Sequence, residues 1–385
     1  MLPYWRLSAY YFCYFAFVGA FAPYFSLYLA SLSFSAWQIG VLMSVMQAMR
    51  VVAPNLWGWL ADRAGRPILI VRVSAAASVI GFAGLWLTRS FGGVFLAMSV
   101  MALFWGAALP LVEALTFGHL RARIERYGSI RLWGSVGFIA AATALGFVLD
   151  RTAIGTLLWV SMGLLGSIAA CSLFLPEAPE EARAASPGRL SAILRRREVV
   201  ALLAACFAMS AAHGALYVFY SIHLVENGYS KTAVGWLWTL GVLAEILVFL
   251  RMPRLTARFS LRAILAFSFA CAVLRFLMIG WGARAPALIV AAQLLHGATF
   301  GAYHAAAVAA VNRWFPRPYQ ARGQALYSSV SFGAGGMLGG LSSGAAWEAL
   351  GAGPTFSLSA LFAAAGLVLI LAGWRTRSSA CAATR

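Results

Sequence analysis

Apolar residues along this chain neither alternate nor recur as the single stripe of a half-exposed helix. They come in continuous runs of roughly twenty, the length that carries a helix across a bilayer core. Short stretches holding most of the charge separate them. Segments such as Ala360 to Gly373 are apolar throughout. A closed β-barrel, the other structure that spans lipid with its backbone paired, would need alternation. The runs predict helices at approximately 7–30, 37–60, 68–88, 92–117, 130–150, 154–175, 199–225, 232–250, 261–281, 286–310, 324–347 and 354–374. The fold class read from them is an all-α membrane protein of about twelve transmembrane helices. Leu7 to Ala30 is too long for a signal-peptide core, and no cleavage site follows it.

Composition agrees: 62% of the 385 residues are hydrophobic and only 10% charged, too little charge to cover a soluble surface. The net charge of +18 raises nucleic acid as a partner, and position argues against it. About 23 of the 29 basic residues fall on alternate loops and the two ends of the chain, on one side of the bilayer. Only Arg89, Arg151, Lys231 and Arg284 fall on the other, while Arg50 and Arg275 lie inside apolar runs. This is the positive-inside asymmetry. It predicts a multi-pass protein of a bacterial inner membrane, with both termini cytoplasmic and lipid rather than nucleic acid around it. Cys13, Cys171, Cys206 and Cys271 lie in spans and Cys381 in the tail, so the five cysteines form no disulfide framework.

The longest connection runs over 176–198, with Pro-Glu-Ala-Pro-Glu-Glu, Pro187-Gly188 and Arg195-Arg196-Arg197, the composition of a solvated linker. It divides the chain into an N-terminal six-helix bundle at 1–175, a cytoplasmic linker, and a C-terminal six-helix bundle at 199–385. The halves resemble each other. Ser35-Ala36-Trp37-Gln38-Ile39-Gly40 matches Ser230-Lys231-Thr232-Ala233-Val234-Gly235 in pattern, and Leu132-Trp133-Gly134-Ser135 matches Leu326-Tyr327-Ser328-Ser329 at nearly the same offset. Parallel halves of this kind place a substrate site near the midplane between them.

Ionisable residues at bilayer depth each cost about 2.5–3.5 kcal/mol on insertion scales, so they point to function. Glu245, Arg275, Arg50, His213 and His296 fall near span centres, and Glu113 and His304 nearer the cytoplasmic end. The repeat sets Arg50 opposite Glu245, and Glu113 opposite His304. Two readings stay open: a salt bridge that merely joins the halves, or a charge-exchange site. In the second, Glu245, Glu113 or His304 carries a proton, and Arg275, helped by Arg50, holds a substrate anion. His213, His296, Trp238, Tyr14 and Tyr217 complete the expected substrate-binding set, the aromatics as a wall for a flat substrate. No metal cluster, nucleophile motif or phosphate loop is present, so neither an enzyme nor a cofactor is expected.

Gly58-Trp59-Leu60-Ala61-Asp62-Arg63-Ala64-Gly65-Arg66-Pro67 resembles the signature G-x-x-x-D-R-x-G-R-[RK] of the major facilitator superfamily, departing only at Pro67. The resemblance implies the major facilitator fold and a gating role for Gly58, Asp62, Arg63, Gly65 and Arg66. In the second half, 251–259 keeps basic residues and lacks the aspartate. Tyr127-Gly128-Ser129-Ile130-Arg131-Leu132-Trp133-Gly134-Ser135 resembles the fifth-span signature of the phenylpropionate permease family. Gly228-Tyr229-Ser230, Leu237-Trp238, Ala244-Glu245, Leu274-Arg275 and Leu295-His296-Gly297 with His304 extend that likeness over nearly the whole chain. More distantly the pattern is similar to lactose permease, although 305–310 lacks its carboxylate after the tenth-span histidine. The resemblance implies a monomeric, proton-linked symporter for uptake of an aromatic carboxylate such as 3-phenylpropionate. A proton-coupled sugar or nucleoside symporter is the alternative within transport, and a transporter-like membrane sensor the alternative outside it.

Overall fold

The computed structural model describes residues 2–120, 123–177, 191–316 and 319–374, with the side chains of Asp62 and Ile124 outside that description. Most of the expected linker, 178–190, also lies outside the described residues. The first six helices are α1 (Tyr4–Ser31), α2 (Ala36–Ala64), α3 (Pro67–Trp86), α4 (Phe91–Leu120), α5 (Tyr127–Leu149) and α6 (Thr156–Leu173). The second six begin with α7 (Arg197–Glu226), α8 (Lys231–Arg258), α9 (Leu261–Gly282) and α10 (Pro286–Trp314). They end with α11 (320–350) and α12 (Ala352–Gly373). Eleven of these are long and apolar enough to cross a membrane. The exception is α11, which has the length but is dense in glycine and serine.

The helices form two bundles of six. In the first, α1 packs on α5 and α6, and α4 on α2 and α3; in the second, α12 packs on α7 and α9, and α8 on α10. The bundles meet along α2–α11, α5–α8 and α1–α7. Burial explains which helices are central: 67% of the apolar window of α1 and 72% of that of α7 are enclosed, more than in any other span. The tyrosines and phenylalanines of α1 are therefore interior packing residues, with Tyr10, Tyr11, Phe17, Tyr24 and Phe25 all fully enclosed.

The bundle has two ends. One carries the start of α1 and the end of α12. The other, called here the turn end, carries the turns at 32–35, 150–155 and 227–230 and the bend at Gly351. Here the repeated sequence has a structural meaning. Ser35 caps α2 by accepting from the Gln38 amide, and Ser230 caps α8 by accepting from the Ala233 amide. Five residues on, Gly40 and Gly235 let the helices of opposite halves touch: a Cβ at Gly40 would strike the backbone of Gly344, and one at Gly235 the backbone of Ala142.

Two helices widen to π geometry at mid-depth. Gly297–Ala302 in α10 and Ser329–Gly335 in α11 are π-helical. Such wide turns shift the facing of every side chain beyond them and recur at functional sites.

Candidate functional site

The centre of the second half is built on the α8–α10 crossing. Gly241 of α8 faces the ring of His296, and Gly297 of α10 sits against the backbone of Ala244. With side chains absent at both places, His296 Nε2 comes to 2.6 Å from Glu245 Oε1. The other ring nitrogen, Nδ1, is buried and has no hydrogen-bond partner among the described residues. The π turn then stacks His296, Phe300 and His304 in one ladder, with centroids 5.5 and 6.0 Å apart and planes within 19°. His304 Nδ1 lies 3.1 Å from the Tyr327 hydroxyl of α11, and Phe332 closes the ladder from the side.

Arg275 stands behind this ladder and is fully enclosed. Its Nε donates to the Ala292 carbonyl at 2.9 Å, Nη2 to Gln293 Oε1 at 3.0 Å, and Nη1 to Thr299 Oγ1 at 3.1 Å. Nη1 also reaches His213 Nε2 at 3.4 Å. His213 Nδ1 is 2.8 Å from the Met209 carbonyl. A carbonyl only accepts, so Nδ1 holds the proton and Nε2 receives the arginine. Four of the five guanidinium donors are thus engaged by protein, and among the described residues Arg275 forms no ion pair with Glu245.

The first half presents a different set. Tyr127 donates to Glu113 Oε1 at 3.2 Å. The Arg131 guanidinium lies 3.7 Å from the centroid of Phe15 and 6.0 Å from that of Tyr11. Arg131 is half-buried and stands one helical turn beyond Tyr127 on α5. Arg50, also half-buried, lies 6.0 Å from the Phe332 ring of α11. Among the described residues it makes no ion pair with Glu245, its partner in the internal repeat. Tyr14 stacks on Trp105 at 4.7 Å, and Tyr217 stacks on Trp238 at 6.1 Å, with the Trp238 indole donating to Ser221 Oγ.

The superfamily-like stretch lies between α2 and α3. Gly65 ends α2 in the left-handed region, φ 62°, its amide bonded to the Ala61 carbonyl, and Pro67 opens α3. Arg63 lies 5.7 Å over Trp59. The side chain of Asp62 is outside the described residues.

A profile of the MFS_1 like family matches residues 4–358. The chain belongs to the MFS_1-like family. It is 30% identical to a probable 3-phenylpropionic acid transporter of Escherichia coli (strain K12) over 331 residues, 84% of this chain and 86% of that protein. It is 29% identical to a maltose permease of Geobacillus stearothermophilus over 383 residues, 96% of this chain and 94% of that one. A crystal structure of the nucleoside transporter NupG superposes with a TM-score of 0.83 at 18% identity, covering 97% of this chain and 98% of that one. At that identity the likeness shows the fold. This MFS_1-like chain is accordingly a multi-pass transporter of small molecules, not an enzyme.

In it the sequence-expected residues divide. Glu245 and His296 meet, and His304 joins them through Phe300. Arg275 and His213 form a separate enclosed cluster. The residue that sequence reasoning left out is Arg131. It was counted among the cations of the positive side, although it follows Glu113 where two antiparallel helices, α4 and α5, turn back on each other. A carboxylate near the end of one helix and a guanidinium near the start of the next was the available signal.

Proposed function

We propose that the chain is a proton-coupled importer of a small aromatic monocarboxylate, of which 3-phenylpropionate is the type, working by alternating access. The observation that carries this reading is Arg131: a half-buried guanidinium, held against Phe15, one helical turn from the Tyr127 that bonds Glu113. The donors of Arg275 are engaged, so an incoming carboxylate meets Arg131 first, with Arg50 nearby. The stacked pairs Tyr14–Trp105 and Tyr217–Trp238 offer flat apolar surface for a ring. Arg275 and His213 act as positioning residues for the His296–Glu245 contact.

Coupling follows from charge. A substrate carboxylate on Arg131 adds negative charge to the set that holds Glu245, which favours the protonated form of Glu245, so anion and proton enter together. The basic-residue asymmetry supports a cytoplasmic location for the termini and the 176–198 linker, and the stretch from Gly58 to Arg66 is read as the gate on that side. A protomer holds the whole set, which supports a monomer.

Similarity to a maltose permease over 96% of the chain favours a second reading, a proton-coupled symporter of a neutral sugar or nucleoside. In that case Glu113 and the Tyr127 hydroxyl bind the substrate's hydroxyls. Counterflow in proteoliposomes decides between them. Preloading with 3-phenylpropionate should drive exchange, and maltose or uridine should not. The Glu245→Gln variant should retain exchange and lose accumulation driven by a proton gradient. Exchange with the sugar or nucleoside alone, or accumulation intact in Glu245→Gln, overturns the carboxylate or the coupling assignment respectively.

A further inference from the structure

An α-helix begins with amides that lack partners, and its positive end favours a carboxylate. Neither α2 nor α8 has an acidic residue in its own first turn. Both receive one from the opposite half. Asp150, one residue beyond α5, accepts from the Lys231 amide through Oδ1 at 2.8 Å and from the Thr232 amide through Oδ2 at 2.9 Å. Glu348, in the last turn of α11, accepts from the Trp37 amide through Oε2 at 2.7 Å. Ser230 and Ser35 each satisfy one amide locally, and the amide just before it is left for the facing half. The two arrangements are related by the internal repeat: Trp37 and Thr232 occupy matching places, and each acid lies at the end of a helix that crosses its partner at a glycine contact.

We propose that Asp150 and Glu348 are paired latches that hold the turn end closed, and that they set how often the space between the halves opens there. Other contacts fit the same closure. The Tyr24 hydroxyl lies 3.3 Å from the Lys231 carbonyl, and the Ser44 hydroxyl 3.4 Å from that of Met337. These bonds, like the two caps, join the halves on the turn-end side of the mid-depth Arg50–Phe332 contact. When the turn end opens, the caps must separate and water must take their places. Each latch is thus an energy difference between two states of the transporter, not a contribution common to both. Because each is made by a carboxylate on backbone amides, it is sensitive to the charge of the donor half.

Spin labels at Thr152 in the first half and Glu226 in the second, both exposed at the turn end, read the separation by double electron–electron resonance in nanodiscs, without substrate. The parent protein should show one dominant short distance. Asp150→Asn and Glu348→Gln should each raise the share of a longer distance severalfold, and the double variant should raise it further. Ser230→Ala is the control, since it removes a cap within one half and touches no inter-half bond. Monodisperse elution verifies folding of every variant. If the double variant keeps the parent distribution, or if Ser230→Ala shifts it as much as Asp150→Asn does, the latch assignment is overturned. These outcomes do not depend on which substrate is carried, so they stand apart from the test of the carboxylate reading.

Discussion

At the residue scale, Arg275 and Arg131 differ in what surrounds them, and that difference predicts different failures. Arg275 is enclosed and satisfies the Ala292 carbonyl, Gln293 Oε1 and Thr299 Oγ1. Arg275→Ala leaves those acceptors unpaired in the interior, at about 1–3 kcal/mol for each buried group stranded. It should lower the thermal unfolding temperature in detergent and lose exchange along with it. Arg131 is half-buried and rests on Phe15. Arg131→Ala should unfold at nearly the parent temperature and lose carboxylate binding at least tenfold, read by ligand-induced thermal shift. Equal destabilisation of both variants would place Arg131 among the structural residues. The sequence could identify Arg275 as costly because it interrupts an apolar run. It could not show that four donors were already engaged, because their acceptors come from α10 and from His213 on α7, distant in the chain. Glu245 and His296 were legible as interior charges. Their 2.6 Å contact depends on Gly241 and Gly297, whose role appears only once the helices cross.

At the scale of elements, helix ends and helix crossings carry the conformational chemistry. The N-cap serines of α2 and α8 were visible as a repeated hexapeptide, and so were the glycines five residues later. The acids that complete those caps were not visible, since Asp150 and Glu348 lie more than 80 residues from the amides they serve, as the separations of 81 and 311 residues show. The π turns of α10 and α11 were also missed, because hydrophobic runs fix a helix's existence and not its local pitch. The Asp150 cap makes a pH prediction. Partial burial pushes its carboxyl up, but bonds from Thr232 and Lys231 outweigh this and hold it below the ordinary aspartate value of 3.8. A depressed value means the latch contributes fully above the ordinary carboxylate range and is lost only as pH falls through the lowered one. Lys231 is the charged group facing it, and Tyr24 the hydroxyl beside it. The Thr152–Glu226 distance distribution should therefore stay the same from pH 8 to pH 5. An opening within that window would mean that Asp150 is not held ionised by α8.

At the scale of the whole molecule, two six-helix bundles meet along α2–α11 and α5–α8. The duplication was legible because both the cap hexapeptide and the fifth- and eleventh-span stretches repeat at about half the chain length. The count of crossings was legible too, except that α11 is less apolar than its fellows; its glycines serve contact with α2 and α7 rather than lipid. Orientation follows from charge distribution alone. The start of α1 and the end of α12 lie at the same end of the bundle, because twelve crossings return the chain to its starting side. The loops at that end hold most of the arginines, including Arg63, Arg66, Arg195, Arg196 and Arg197, and the turn end holds few. Translocation disfavours short cationic loops, so the terminus end should face the cytoplasm. The latches at Asp150 and Glu348 would then close the outer side, and the space between the halves would face inward in this structure. Alkaline phosphatase fused after Arg375 should be inactive, and green fluorescent protein at the same point should fluoresce; a fusion within the turn at 150–155 should give the reverse. Active phosphatase after Arg375 would invert the molecule. It would then also invert the latches, which would guard the cytoplasmic side, and the proposed uptake would have to begin from the state with those latches closed.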